Sequence, residues 1–211
     1  MVRAGSASRP AARSTATRSA LVEATIEVLR EEGFAAATAR SIAARAGCNQ
    51  GLVFYHFGSV AKLLLAALDE VSAQRRHRYD EALAGVSRPS ELVELAARIF
   101  REDLDTGDAA LLVEMIAGTT STPGLGGEVK ARVAPWTEFA TGALERVIGD
   151  SPFAGVVAPS EIAHAVVALY LGLELLSHLD GDREPALALF DRVRQLAALA
   201  DMVTASPRAQ S

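Results

Sequence analysis

The stretch TARSIAARAGCNQGLVFYHF, Thr38 to Phe57, decides how this chain is read. Thr38 is placed to cap a helix, because its hydroxyl can accept an otherwise unpaired backbone N–H of the first turn. Ile42, Ala43 and Ala46 then recur on one helical face. Gly47 stands where a chain leaving a helix often takes a positive φ, which glycine reaches without steric cost. Cys48 supplies a small apolar plug for the corner, and Asn49 is a second capping residue. Val53 and Phe57 restore an apolar face four residues apart. Two short helices at a sharp corner with glycine in the turn make a helix-turn-helix, whose second helix, Asn49 to His56, can enter a DNA major groove. An ordinary pair of packed helices shares this short pattern, so the flanking sequence has to arbitrate.

Gln50, Leu52, Tyr55 and His56 would point away from the inner face and offer amide, methyl, phenol and imidazole groups. An amide pairs with adenine, and a methyl group touches that of thymine. Gly51 removes a side chain near the helix start and lets backbone approach backbone. Because Val53 and Phe57 already fill the inner face, Leu52 and Tyr55 are expected on the DNA-facing surface. Upstream, TRSALVEATIEVLREEGF reads as an amphipathic helix with Leu21, Ala24, Val28 and Leu29 as its stripe and Gly33 as its stop. Downstream, SVAKLLLAALDEVSAQRRHRYDEAL is a longer helix whose first turns are apolar nearly all round.

From residue 15 to 68 the chain resembles the DNA-binding region of the TetR family of transcriptional repressors. The residues that carry the resemblance are Gly33-Phe34, Thr38, Ile42-Ala43, Ala46-Gly47 and Tyr55-His56-Phe57. It implies an all-α fold, with an N-terminal three-helix helix-turn-helix domain joined to a C-terminal helical ligand-binding and dimerisation domain. It also implies that Thr38 touches a backbone phosphate while capping its helix, and that Arg40 reaches DNA from the second helix. Asn49, Gln50, Gly51, Leu52, Tyr55 and His56 correspond to the recognition helix and its start. Two positions depart from the pattern. Phe54 stands where a phosphate-binding tyrosine is common, and Val60 where a lysine is usual, with Lys62 two residues on. Two residues turn a helical side chain by about 200°, so Lys62 starts from a different direction.

The formal charge of −5 divides unevenly. Residues 1–62 carry eight Lys/Arg and four Asp/Glu, and residues 63–211 carry thirteen and twenty-two. A head of +4 therefore sits on a body of −9, the asymmetry expected when one end meets phosphate. Residues 1–14 hold no acidic residue and read as a disordered arm. Its Arg3, Arg9 and Arg13 either reach DNA or simply stay solvated. Half of the 211 residues are hydrophobic, enough for a real core. No apolar run reaches the ~18 residues of a bilayer span, since His164, Glu174 and His178 interrupt 161–179. The arginine-bearing N-terminus lacks a following apolar stretch, and so does not read as a signal peptide. Cys48 is the single cysteine, a buried thiol or a redox sensor, and suits a reducing cytoplasm.

The head is assigned to residues 15–62, a ligand-binding and dimerisation domain to 63–204, and a flexible tail to 205–211. Gly/Pro punctuation predicts helices from Arg88 to Thr106, from Asp108 to Thr119, to Ile148 with a bend or interruption near Pro135, and over 160–179 and 184–203. GTTSTPGLGG, residues 118–127, reads as a loop and contains no G-x-G-x-x-G. In the last two helices Ile162, Val166, Leu169, Leu173 and Leu176 form one stripe, and Leu187, Phe190, Val193, Leu196, Ala197 and Leu199 another. One helical pair cannot bury both, and the resemblance implies that a symmetry mate does. A twofold dimer would then read an inverted repeat.

No catalytic, metal or cofactor constellation emerges. The four histidines join no Cys or carboxylate in a zinc-binding set, and Glu174 with His178, at i and i+4, reads as a polar pair that either binds a ligand group or makes a surface or interface contact. Phe100, Leu112, Met115, Ile116, Trp136, Phe139 and Tyr170 fall on the middle helices and serve either as core or as an apolar ligand pocket. The expected function is a cytoplasmic, ligand-responsive regulator. Its partners would be double-stranded DNA, a second copy of itself and a small apolar or aromatic effector, with no membrane. Two other classes stay open: a helical small-molecule sensor or carrier whose head binds a protein, and an architectural DNA-binding protein without ligand.

Overall fold

The computed structural model describes residues 8–120, 122–149, 151 and 155–204, and among them there is no strand. Its elements are α1 (Ser8–Glu32), a 3-10 turn (Phe34–Ala36), α2 (Ala39–Arg45), α3 (Gly51–Phe57), α4 (Val60–Leu83) and α5 (Pro89–Thr106). They continue with α6 (Asp108–Gly118), α7 (Leu125–Ile148), α8 (Pro159–Asp180) and α9 (Glu184–Thr204). The all-α class read from the sequence holds.

Three local expectations change. The arm over 1–14 falls outside the described residues at 1–7, but 8–14 are the first turns of α1. Ala and Arg are good helix formers, and Pro10 is tolerated because the first turn has no N–H partners to lose. The loop expected over 118–127 ends early, since α7 takes in Leu125 to Gly127. That helix also runs through Pro135 without a break. The tail at 205–211 lies outside the described residues.

The chain forms two compact units, residues 1–73 with 114–129, and residues 74–113 with 130–211. In the first, α1 packs on α2 and α2 on α3. Leu21, Val28, Ile42, Val53 and Leu63 are wholly buried there, each contributing about 1.5–3 kcal/mol by leaving water. Thr25, buried among them, donates its hydroxyl to the Leu21 carbonyl at 2.6 Å. The 3-10 turn is held from α6: the Phe34 N–H donates to Glu114 Oε2 at 2.9 Å. Gly118 lies so close to the Phe34 ring that a Cβ there would sit 2.4 Å from its edge. Only glycine allows that approach.

In the second unit Leu83, Val86, Leu95, Ala143 and Val147 form a core cluster, with Phe139 and Ile148 against it. Arg146 Nη1 donates to the Leu83 carbonyl at 3.0 Å, satisfying an orphan acceptor at the end of α4. Asp201 of α9 accepts from the Ser90 N–H at 3.0 Å and from the Ser90 hydroxyl at 2.5 Å. A carboxylate there also suits the positive end of α5. By length and composition α8 could cross a bilayer, although little of it is buried, a property the sequence reading did not find. Its apolarity is split between a face turned inward and an exposed one carrying Val166, Leu169 and Leu176.

Candidate nucleic-acid interface and ligand cavity

The corner in the first unit is built by local chemistry. Thr38 Oγ1 accepts from the Ser41 N–H at 3.1 Å, and Ser41 Oγ accepts from the Thr38 N–H at 3.0 Å. This is a reciprocal capping box with serine in place of the usual Glu or Gln. At the far end of α2, Gly47 takes φ of +65°. The Cys48 N–H then reaches the Ala43 carbonyl at 2.9 Å, and the Gly47 N–H reaches that of Ala44 at 3.2 Å. That nested pair is the Schellman closure, which turns the chain sharply towards α3. Asn49, expected as the cap of α3, stands one residue before the cap position, Gln50, and closes an Asx turn there, its Oδ1 accepting from the Gly51 N–H at 2.7 Å. Arg45 fixes α2 to α1 through Glu31 at 2.5 Å and Glu32 at 2.7 Å.

This scaffold sorts the side chains of α3. Val53 and Phe57 are buried, while Tyr55 is 78% exposed and Phe54 52%. Asn49, Gln50 and Gly51 are exposed, and Leu52 and His56 are partly so. Thr38 and Arg40 are exposed on the first turn of α2. Lys62 is exposed in the first turn of α4, where its N–H is held by Ser59 Oγ at 3.2 Å. All nine residues named for DNA contact thus have solvent access. The sequence did not single out Arg18, whose guanidinium stacks 5.0 Å above the Phe57 ring.

The second unit contains a cavity of about 220 Å³, roomy enough for more than one water. Residues of α4, α5, α6, α7 and α8 line it, and its wall is almost wholly apolar, the side chains of Arg75, Tyr79, Trp136 and Tyr170 included. Of the seven residues named from the sequence, Leu112, Trp136, Phe139 and Tyr170 line it. Three do not. Phe100 is fully buried with its ring against Tyr170 at 5.4 Å and Phe190 at 5.2 Å, a core position. Met115 is fully buried and Ile116 exposed, and both belong to the first unit.

Behind one wall lies a charged cluster that the sequence did not reveal. Asp103, with no exposed surface, accepts from Arg75 Nη2, from the Tyr170 hydroxyl, and from the Tyr79 hydroxyl at 2.9 Å. The Arg75 guanidinium also lies 4.6 Å above the Trp136 ring. Glu174 is buried here, not on the surface beside His178 as its spacing implies. Burial pushes its carboxyl up to about 7, and the charge of Asp103 adds to this, against the opposing influence of Arg75 and the neighbouring Tyr170. Tyr79 and Tyr170 are both raised, first by burial and then by Asp103, so they stay neutral donors. Among the described residues two buried side-chain atoms keep no partner, Arg75 Nε and Glu174 Oε1. The described residues hold no group of His, Cys, Asp and Glu arranged for a metal ion.

Comparison with known proteins agrees with the corner geometry. Residues 21–67 match the profile of the bacterial regulatory proteins of the tetR family. The HTH-type transcriptional regulator BetI of Rhizobium meliloti (strain 1021) is 33% identical over 87 residues, 41% of this chain and 43% of its own length. The HTH-type transcriptional regulator UidR of Escherichia coli (strain K12) is 26% identical over 123 residues, 58% of this chain and 62% of its own. The matched parts therefore span about half the length of these relatives. Among solved structures, a TetR-family member from Streptomyces coelicolor A3 superposes with a TM-score of 0.63 at 26% identity, covering 84% of this chain and 97% of that one.

Proposed function

We propose that the chain, whose residues 21–67 match the tetR-family profile, is a TetR-family transcriptional regulator, a dimeric repressor released from DNA by a small apolar or aromatic effector. It is not an enzyme. The observation that carries the reading is the sorting of α3, which keeps Val53 and Phe57 inside and sets Gln50, Leu52, Tyr55 and His56 free to meet base edges. Thr38, Arg40 and Lys62 lie at helix starts and take backbone phosphates. In this reading residues 15–62 recognise DNA, and residues 63–204 bind the effector and dimerise in the cytoplasm.

Dimerisation is supported by apolar surface that the single chain leaves in water. Leu169 and Leu176 of α8, and Leu196, Leu199 and Met202 of α9, are all more than half exposed. A monomeric surface seldom leaves large apolar side chains exposed in such numbers on neighbouring turns of two helices. A twofold partner would cover it and present two copies of α3 to an inverted repeat. The effector acts by its differential affinity for the DNA-competent and DNA-incompetent states, and needs no other property.

The test is fluorescence anisotropy with labelled duplexes carrying the inverted repeats that flank its own gene. The wild type should bind one of them, and Leu52→Glu should lose that binding while helicity and dimer mass stay unchanged. Equal binding by the variant would remove α3 as the reading helix. Replacing Arg40 or Lys62 should weaken binding to every sequence and lower the salt dependence by about one counterion-release unit per lost phosphate contact.

A further inference from the structure

From Ala46 to Ala61, across the whole of α3 and both of its junctions, there is no Lys or Arg. Cations set against backbone phosphates supply a large share of DNA affinity, so a reading helix without one depends on its neighbours. Arg45, the last cation before that stretch, is taken up by Glu27, Glu31 and Glu32. Arg18 is not. It stands on α1 three and four residues before the buried Leu21 and Val22 and seven before the buried Thr25, so it carries the core stripe one turn past the end of the core. From there its guanidinium lies 5.0 Å from the centre of the Phe57 ring, at the end of α3. The residue is exposed, and no carboxylate among the described residues pairs with it. The Phe57 ring meets His56 edge-on at 6.5 Å, and His56 meets Tyr55 at 5.0 Å, so Arg18 closes a row of rings that starts on the reading surface.

We propose that Arg18 is a phosphate-binding residue of the head, which holds one DNA backbone phosphate beside the C-terminal end of α3 while its flat face rests on Phe57. The proposal rests on the reading of α3 as the helix that enters DNA, and adds a contact from an element outside the helix-turn-helix. Stacking uses the face of a guanidinium and leaves its N–H edge for a forked pair of hydrogen bonds, so the ring does not consume the donors. Position decides between a phosphate and a base. Phe57 is buried on the inner side of α3, opposite Tyr55, so a group resting on its ring lies at the flank of the helix and not at its tip. A helix with its side chains is about 10–12 Å across and the major groove about 12 Å wide, so what borders the flank of α3 in a duplex is a row of phosphates. The stack also holds the side chain in place beforehand, which lowers the ordering cost of the contact.

The experiment titrates the full-length protein, at several salt concentrations, against two labelled duplexes: an inverted repeat flanking its own gene and a random sequence of equal length. Arg18→Gln, whose flat amide still covers Phe57 without a charge, should bind both about tenfold more weakly with their ratio unchanged. Its slope of log affinity against log salt should be shallower by about 0.9 per lost phosphate contact. Arg18→Lys should keep the wild-type slope. Arg18→Met is a second neutral variant, and thermal melting followed by circular dichroism establishes that each is folded. Methylphosphonates placed one at a time along the repeat remove single phosphate charges; one position in each half-site should weaken the wild type and leave Arg18→Gln unaffected. Weaker binding with the salt slope and the methylphosphonate pattern retained would mean that Arg18 only steadies Phe57, and would overturn the proposal, as would unchanged affinity. A wild type that binds neither duplex would overturn the reading of α3, and this proposal with it.

Discussion

The two units bury polar groups in different ways. In the first, Thr25 returns its hydroxyl to the helix that carries it, and the Phe34 N–H is answered by Glu114. In the second, Arg75 and Asp103 are buried in the manner of core leucines, and the two buried side-chain atoms without a partner among the described residues, Arg75 Nε and Glu174 Oε1, both lie there. The first unit is closed around apolar contacts, down to a glycine that fits against a phenyl ring. The second encloses free volume beside an ionic cluster. On the proposed reading the contrast has a use: a reading head is better rigid, whereas a unit that admits a ligand keeps room for it and tolerates incomplete satisfaction.

Four substitutions would break or sharpen that contrast, and Asp103→Ala should have the largest effect. It strands Arg75 as a buried unpaired cation and leaves two tyrosine hydroxyls without an acceptor. A loss of about 3–5 kcal/mol in urea unfolding is expected; a loss below ~1 kcal/mol would mean that solvent already reaches the cluster. Next comes Gly118→Ala, whose new Cβ would meet the Phe34 ring at 2.4 Å. Overpacking of this kind costs about 1–3 kcal/mol, and an unchanged midpoint would show that the first unit is looser than described. Ala140→Leu should do the opposite, because Ala140 faces free volume. Stabilisation of about 0.5–2 kcal/mol, together with weaker binding of any cavity ligand, is the expected pair of results.

The fourth substitution concerns pH. The Glu174 carboxyl rises from its ordinary 4.5 to about 7 through burial, with Asp103 adding to this and Arg75 and Tyr170 opposing it. Below pH 4.5 both folded and unfolded chains hold the proton, and the group contributes nothing. Between 4.5 and about 7 the unfolded chain loses it first, so stability falls as pH rises, and above about 7 the loss is complete. Glu174→Gln should therefore raise the melting temperature at pH 8 and leave it nearly unchanged at pH 4. The reverse order of effects would show that the Glu174 charge is compensated in the fold.

The helix-turn-helix was legible because its signals are local. Thr38 caps within three residues, Gly47 is needed for its own φ, and Val53 and Phe57 declare the inner face at a spacing of four. The cavity was only half legible. Trp136, Phe139, Leu112 and Tyr170 line it, but an apolar side chain in a wall is indistinguishable by type from one in a core, which is where Phe100 lies. The ionic cluster was hidden for another reason. Arg75 stands in the run QRRHR, which looks like a solvated face, and Asp103 lies 28 residues away with nothing local to mark it. One signal was present: Val71, Arg75, Tyr79 and Leu83 recur every four residues and are all buried, so Arg75 occupies a core register.

The salt bridges of Arg45 bear on how the head meets DNA before any contact forms. Glu31 and Glu32 pair with Arg45, and Glu27 lies within 3.7 Å of it, so three of the four carboxylates of residues 1–62 are gathered at one spot. From Gly33 to Leu68, through the whole of α2 and α3, there is no Asp or Glu. The head is thus electrically lopsided, and the field of a duplex exerts a torque on it as well as an attraction. Molecules drifting in at random angles would be rotated towards the acid-free side within about a Debye length, ~8 Å at physiological salt. Moving an acidic residue into that stretch, even at a position that touches nothing, should slow association at low salt while leaving dissociation unchanged.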